Sequence, residues 1–407
     1  MNILQVVRQY LPSTGGMETY VSSLSRRLSD RGHKSDVATL DYLFKTNEPL
    51  PHFERIDDID VIRLPSSGNP RYFFAPRLME LAPRYDVIHV HGVDFFVDLL
   101  GACKGMHERP VVLSTHGGFF HTPWFPALKS AFFQTVTRFS LRGIDRVIAS
   151  SPKDEKLFSR ICRNVTLVDN GIDYDVFAAV EKPPSLFEPA SVFEAAEAGG
   201  GDARGTGSAG GAGGTVGAKL VFVGRISKNK RVDRLLEILA RLRAERPGVT
   251  LTVIGPDWEG LQPGLQEQAA ALGISEAVTF KGVLPQDKML DELASAKLFV
   301  SASEYEAFGL STVEAMATGT VPAVSNIPAF MGLVEDGKTG FILDFDDPAA
   351  AAAKIREALE LPGVTSKEMS DAARRAASQH DWDKVIGRII NIYEEVLAGH
   401  ERSAGGS

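Results

Sequence analysis

Short runs of β-branched and other apolar residues recur along the chain with helix-period segments between them, and this rhythm occurs twice. In the first half the runs are Ile3–Val7, Ser35–Leu40, Val61–Leu64, Val87–His91, Val111–Thr115, Arg146–Ala149 and Val165–Val168. In the second they are Lys219–Val223, Val249–Ile254, Val278–Lys281, Leu298–Ser301 and Val321–Ser325. Helical segments separate several of them, for example Met17–Arg31, where Val21, Leu24 and Leu28 recur on one face. That alternation is the pattern of parallel sheets with crossover helices. The expected fold class is therefore α/β, with two Rossmann-like doubly wound domains that bind a ligand in a cleft at their facing strand ends.

Glycine marks where one rhythm stops and the other starts. The chain of 407 residues holds 38 glycines, and ten of them fall among the nineteen residues of Gly199–Gly217. This stretch has no apolar face to bury and nothing to offset the entropy of ordering it, so it reads as a flexible tether. A phosphate-cradling glycine loop is disfavoured, because such loops join a strand to a helix and this stretch follows the Pro- and Ala-rich Glu181–Ala198. The expected organisation is a first domain over 1–180, a linker over 181–217 and a second domain over 218–380. A C-terminal segment over 381–407 completes it. Within it Trp382–Leu397 is amphipathic at Val385, Ile389, Ile392 and Val396, a helix expected to pack across the junction ahead of a flexible tail.

Composition removes several classes of function. The net charge is -8, with residues 186–407 carrying 22 basic against 31 acidic side chains, so a nucleic-acid groove is not expected. Two distant cysteines, Cys103 and Cys162, offer no disulfide framework or metal cluster and fit a reducing cytoplasm. The first residues lack a basic segment ahead of an apolar one, and no window approaches a membrane span. A cytoplasmic protein, soluble or peripheral at the membrane, is expected.

Two segments carry chemistry. The run Lys219–Val223 ends in Gly224-Arg225-Ile226-Ser227-Lys228-Asn229-Lys230-Arg231, followed at once by a helix. Clustered cations beside a helix N-terminus suit a diphosphate, although a solvated basic turn would carry the same charge. In Ser303–Gly319, Glu306 and Glu314 stand eight apart, the first placed at a strand end and the second in a helix opened by Gly309. Carboxylates for ribose and sugar hydroxyls, helix amides for phosphates and cations for a leaving diphosphate are together what a nucleotide sugar needs. A metal-dependent D-x-D site is the weaker alternative, since Asp58-Ile59-Asp60, Asp173-Tyr174-Asp175 and Asp344-Phe345-Asp346 all fit that undemanding pattern. His116 follows a strand and precedes Gly117-Gly118, at a strand's carboxyl end. For His89 and His91 strand alternation suggests one ring inward and one outward, and no role is assigned to either.

The segment E-A-F-G-L-S-T-V-E followed by A-M-A-T-G resembles the E-x7-E motif of the retaining GT-B glycosyltransferases of family 4 (group 1). Gly15-Gly16-Met17-Glu18, Asn170-Gly171-Ile172-Asp173, Gly224-Arg225 with Lys230, Gly282-Val283-Leu284-Pro285 and the Trp382 helix extend the resemblance along nearly the whole chain. It implies a first domain that binds acceptor and a second that binds nucleotide sugar. Arg225 and Lys230 would hold the diphosphate, Glu314 the ribose, and Glu306 the transferred sugar. Backbone amides from Phe308 through Gly309 and Leu310 to Ser311 would hold sugar and phosphate, with the nucleobase near Val283 and Leu284. Gly15 and Gly16 would leave room for the diphosphate, and His116 would face the sugar. His116, Glu306, Arg225 and Lys230 are the expected catalytic group. Neither metal nor cofactor is required.

The acceptor-side run Ser114–Thr122 is similar to that of bacterial mannosyltransferases of polysaccharide assembly, which implies GDP-mannose as donor, with UDP-hexoses as alternatives. A nucleotide-sugar epimerase on the same scaffold is the competing activity. The resemblance implies a glycan or a polyprenyl-diphosphate-linked acceptor. Pro123–Arg142 combines aromatic and apolar residues with Lys129, Arg138 and Arg142, so it reads either as a helix at an anionic membrane surface or as a core helix with a basic face.

Overall fold

The computed structural model describes residues 1–13, 15–69, 72–117, 131–187 and 217–404. The glycine-dense stretch falls outside them except for Gly217, as do residues 123–130 of the amphipathic segment. The chain divides into two compact units, Met1–Gly171 with Trp382–Ser407, and Ile172–Asp381.

In the first unit an eight-stranded sheet contains β1 (Asn2–Val6), β2 (Lys34–Leu40), β3 (Phe53–Ile56), β4 (Ile59–Leu64), β7 (Val87–His91), β8 (Val111–Ser114), β9 (Arg146–Ala149) and β10 (Val165–Leu167). Its order is β10-β9-β8-β7-β1-β2-β4-β3, parallel except for the antiparallel edge strand β3. A small hairpin of β5 (Ser67–Asn69) and β6 (Tyr72–Phe74) stands apart from it. The apolar runs become strands because both faces of this sheet are covered. One face packs on Phe73, Phe96, Leu100 and Phe133, and the other on the helices Gly16–Asp30 and Trp382–Ala404.

The C-terminal helix therefore belongs to the first unit's core. Trp382, Val385, Ile386, Ile389, Ile392, Tyr393 and Val396 lie buried against Ile3, Val87, Val112 and Ile148 of the sheet. The helix read over Trp382–Leu397 continues to Ala404. Gly171, the last residue before the chain leaves this unit, sits flat against Trp382. A Cβ at Gly171 would come within 2.4 Å of the indole.

The second unit holds a six-stranded parallel sheet in the order β13-β12-β11-β14-β15-β16. Its strands are β11 (Lys219–Val223), β12 (Thr250–Ile254), β13 (Val278–Gly282), β14 (Leu298–Ser301), β15 (Val321–Ser325) and β16 (Phe341–Leu343). Strands β3, β5, β6 and β16 were not among the runs read from sequence, being short or at a sheet edge. Residues Ile172–Phe187 dock on this unit through cations. Lys182 donates to the carbonyls of Leu293, Ala294 and Ala296 at the end of helix Gln286–Ser295, and Arg374 donates to those of Ala178 and Val180.

In both sheets the strand order reverses once. In the first the chain runs outward from β1 to β2 and β4, then returns to β7 and runs the other way. In the second it runs from β11 to β12 and β13, then returns to β14. Loops leaving the carboxyl ends of the two central strands diverge at such a point, and the crevice between them is where open α/β sheets take ligands.

The Gly171 contact has a measurable consequence. Gly171→Ala should lower the melting temperature by several degrees, since overpacking against a rigid ring costs about 1–3 kcal/mol. Gly387→Ala, on the Trp382 helix with nothing within 4 Å of the added methyl, should leave it unchanged or raise it. Equal melting of the Gly171 variant and the parent by calorimetry would remove this packing role.

Candidate active site

In the second unit β11 and β14 are neighbours, paired at Leu220 with Leu298 and Val221 with Phe299. The loop after β11 carries Arg225 and Lys230, and the loop after β14 carries Ser303–Gly309, so two segments far apart in sequence meet at the switch point. Their contacts are specific. Asn229 Nδ2 donates to the Tyr305 carbonyl at 3.1 Å, and the Glu304 amide donates to the Asn229 carbonyl at 2.9 Å. The Lys230 ammonium is ion-paired with the Glu306 carboxylate, which also accepts from Ser303 Oγ at 2.9 Å. Sequence alone set Glu306 at a strand end; it lies further on, in the loop beyond the last strand residue, Ser301.

The basic cluster separates into paired and unpaired members. Arg231 reaches Glu304 at 2.8 Å and Asp346 at 2.9 Å. Arg225 forms no ion pair among the described residues; its guanidinium lies 5.1 Å from the ring centre of Trp258. The Trp258 loop is zipped to the Arg225 loop by two backbone hydrogen bonds, Ile226 N–H to Pro256 at 2.8 Å and Trp258 N–H to Ile226 at 3.1 Å.

Gly309 opens the helix Leu310–Ala317 in the left-handed region, φ 102°, where a β-carbon would be strained and would press on Phe330 at 3.0 Å. The amides of Leu310 and Ser311, in the first turn, have no intrahelical acceptor and carry the positive end of the helix dipole. Phe308 is buried against His380. On the same helix Glu314 has no side-chain partner among the described residues, and desolvation pushes its carboxyl up to about 7. A carboxylate left without a partner in a desolvated position is costly to the fold and available to a ligand. Gly282 closes β13, after which Val283 is exposed and Leu284 packs on the core.

In the first unit Gly15 precedes and Gly16 begins the helix Gly16–Asp30 at the end of the β1 loop. A β-carbon on Gly16 would meet nothing within 4 Å, so the protein's own packing does not demand glycine there. His116 follows β8 with φ 46°, an uncommon left-handed conformation for a residue with a side chain. Asp154 holds this turn, accepting from Thr115 Oγ1 at 2.6 Å and from the Gly117 amide. His116 Nε2 lies 2.9 Å from His91 Nδ1, and His91 Nε2 lies 2.8 Å from Gln5 Oε1. Burial lowers all three nearby imidazoles, His116 to about 4, His89 to about 3 and His91 well below its ordinary value.

His89 and His91 do not point to opposite sides as read from alternation. Residues two apart on a strand share a face, and both rings lie wholly buried together with centres 4.2 Å apart. Gln5, His91, Asp154, Asn229, Ser303 and Trp258 were absent from the residues expected at the site. All but Ser303, which lies three residues from Glu306 in the same loop, act through contacts between distant segments, which no local pattern announces.

Two doubly wound units, one carrying a cationic loop and a carboxylate-bearing helix at its switch point, describe an enzyme that handles nucleotide sugars. Comparison with known proteins makes this specific. Residues 216–378 match the family described as glycosyl transferases group 1, and residues 14–176 match glycosyltransferase family 4. The chain is 31% identical over 402 residues to a GDP-mannose:cellobiosyl-diphosphopolyprenol alpha-mannosyltransferase of Xanthomonas oryzae pv. oryzae, covering 98% of this chain and 97% of that one. A protein of the same name from Komagataeibacter xylinus is 31% identical over 404 residues, covering 98% and 94%. Among solved structures, Anabaena Alr3699/HepE in complex with UDP and glucose superposes with a TM-score of 0.72 at 19% identity, covering 97% of this chain and 100% of that one. The chain belongs to family 4 of the group 1 glycosyltransferases and has the GT-B fold.

Glu314 gives this site a pH signature. Its folded pKa, about 7, lies above its ordinary value of 4.5, so its contribution to stability is greatest below 4.5 and is lost as pH rises through 7. Glu314→Gln should therefore melt about 5 °C higher than the parent at pH 8, with the gap closing toward pH 5. A gap that does not change with pH would show that the carboxyl is not held in its neutral form.

Proposed function

We propose that this glycosyltransferase moves a mannosyl group, with retention of anomeric configuration, from GDP-mannose to a polyprenyl-diphosphate-linked glycan in bacterial polysaccharide assembly. The contact between Lys230 and Glu306, with Arg225 on the same loop forming no ion pair among the described residues, carries the donor half of this reading. The sugar and the acceptor are supported by the full-length likeness to mannosyltransferases whose names specify both.

On this reading Arg225, Lys230 and the first-turn amides of Leu310 and Ser311 take the diphosphate, with Gly309 and Phe308 shaping the turn that presents them. Glu314 accepts hydrogen bonds from the ribose hydroxyls, and Val283 and Leu284 border the nucleobase. Gly15 and Gly16 leave space for the phosphates, and His116 faces the sugar. The donor phosphates draw Lys230 away from Glu306, which frees that carboxylate for sugar hydroxyls. No protein nucleophile takes part. The bond from C1 to the diphosphate oxygen breaks, the acceptor oxygen bonds to C1 on the same face, and the acceptor's proton passes to the departing phosphate. Acceleration comes from positioning and from stabilising the charge of the leaving group.

Lys230→Ala should lower kcat/KM at least about hundredfold, as removal of a charge-stabilising group does elsewhere, while the protein still melts in one cooperative transition. Near-parental turnover would overturn the donor assignment. A thermal-shift panel of GDP-mannose, UDP-glucose, UDP-galactose and UDP-N-acetylglucosamine should give its largest stabilisation with GDP-mannose; a larger shift with a UDP-sugar would replace the donor.

A lipid-linked acceptor also calls for work at the inner face of the cytoplasmic membrane. No helix among the described residues is long and apolar enough to cross one. Residues 131–142 expose Phe139 (60%) and Val136 (40%), and the Arg142 guanidinium lies 5.8 Å from the Phe139 ring centre. Apolar and basic groups together suit an anionic lipid interface. The protein should sediment with phosphatidylglycerol vesicles more than with phosphatidylcholine, and Phe139→Ala should weaken that binding. Equal sedimentation with both lipids would sink the membrane role.

A further inference from the structure

Four neighbouring strands of the first sheet, β8, β7, β1 and β2, contribute one continuous chain of polar side chains. His116 stands just beyond β8, His91 on β7, Gln5 on β1 and Ser35 on β2, and Ser25 of the helix Gly16–Asp30 completes it. The distances are 2.9 Å from His116 Nε2 to His91 Nδ1 and 2.8 Å from His91 Nε2 to Gln5 Oε1. They are 3.2 Å from Gln5 Nε2 to Ser35 Oγ and 3.1 Å from Ser35 Oγ to Ser25 Oγ.

The chain has a direction. Gln5 turns its NH2 toward hydroxyl acceptors, Ser35 and Tyr393, which leaves its carbonyl oxygen facing His91. An amide oxygen only accepts, so the proton between them sits on His91 Nε2. A neutral imidazole carries one N–H, so His91 Nδ1 is a lone pair, and His116 Nε2 must be the donor to it. With its proton committed inward, neutral His116 has a lone pair on Nδ1. The ring cannot turn over without breaking the bond to His91. Its backbone is fixed as well, because Asp154 holds the residues on either side, Thr115 and Gly117.

We propose that Gln5 and His91 are positioning residues that lock His116 as its Nε2–H tautomer, so that Nδ1 accepts a hydrogen bond from one hydroxyl of the transferred sugar. The proposal rests on the reading that His116 faces that sugar. It adds the polarity of the contact: the site selects a position that bears a proton to donate. A sugar with hydrogen or fluorine at that carbon fails equally, because neither can donate to Nδ1. Tyr20 packs on both imidazoles, its ring meeting His116 edge-on with centres 4.8 Å apart.

The test uses the full chain labelled with nitrogen-15 in its nine histidine rings, read by long-range proton–nitrogen correlation at pH 7.5. The His116 signals are identified by their loss in His116→Asn. Nε2 is expected protonated and Nδ1 unprotonated; a parent spectrum with the proton on Nδ1 overturns the proposal without any variant. In Gln5→Leu the acceptor that sets the direction is gone, and His116 Nδ1 should gain proton occupancy while signals from the histidines outside the chain stay in place as evidence of an intact fold. No change in tautomer there would remove Gln5 from the role.

Donor analogues supply the second readout. GDP-mannose carrying hydrogen or fluorine in place of single hydroxyls should reveal one position at which both lower kcat/KM about tenfold, the value of one hydrogen bond. In Gln5→Leu that penalty should shrink. A position that tolerates fluorine but not hydrogen would mean that His116 donates, against the proposal. Full transfer by His116→Ala would overturn instead the reading that His116 meets the sugar, leaving the tautomer measurement to stand by itself.

Discussion

The reversal of strand order between β11 and β14 is the constraint from which the donor side follows. Because those two strands are neighbours in the sheet, the loops leaving their carboxyl ends start side by side and then turn to opposite faces. A residue from each can meet without any long excursion of the chain. Asn229 exploits this by accepting from the Glu304 amide and donating to the Tyr305 carbonyl, which ties one loop to the other by backbone and side chain together. Lys230 and Glu306, the next residues along, are brought into contact as a result. The ion pair is thus a consequence of topology, and desolvation of its two mostly buried side chains offsets much of their attraction.

What the pair does is set the charge of the ligand-free site. Of the four cations on the β11 loop, Lys230 and Arg231 are balanced by Glu306, Glu304 and Asp346, while Arg225 rests on an aromatic face and Lys228 forms no ion pair among the described residues. A loop with all its cations unpaired would repel itself; one with every cation deeply paired would have nothing to offer an anion. The arrangement lies between these limits. On the proposed function, a diphosphate would meet an Arg225 guanidinium without an ion pair among the described residues and a Lys230 ammonium held by a single carboxylate. Glu314 completes the set from the next helix, where desolvation by burial raises its pKa.

Much of this was legible in the sequence, and the reasons differ by element. The central strands were found because a sheet covered on both faces requires continuous apolar runs. The edge strand β3 and the short β16 escaped because a chain segment paired on one side needs no such run. The E-x7-E spacing exposed Glu306 and Glu314 because one loop and one helix hold both. Asn229 could not be recognised in the same way, because its partner Tyr305 comes into reach only once β11 and β14 are neighbours; Ser303, three residues from Glu306 in the same loop, belongs to no spacing that marks it. The histidine pair was misread by a simple slip in strand geometry, for positions 89 and 91 share a face. That error hid the most polar region of the first unit's core.

That region is unusual because it spends hydrogen-bonding groups where apolar side chains would pack as well. Gln5 and His91 are both wholly buried in the middle of the sheet, and each must be satisfied or cost the fold about 1–3 kcal/mol. The spacing of parallel strands, about 4.8 Å, lets one polar residue per strand reach the next, so the groups satisfy one another in series. The series ends at Ser25, on the helix whose first turn holds Gly16, and begins at His116. A polar chain that merely filled the core could end anywhere. This one joins the two elements of the first unit that carry expected site residues, and its fixed direction would be lost if Gln5 were replaced by an apolar side chain of equal size.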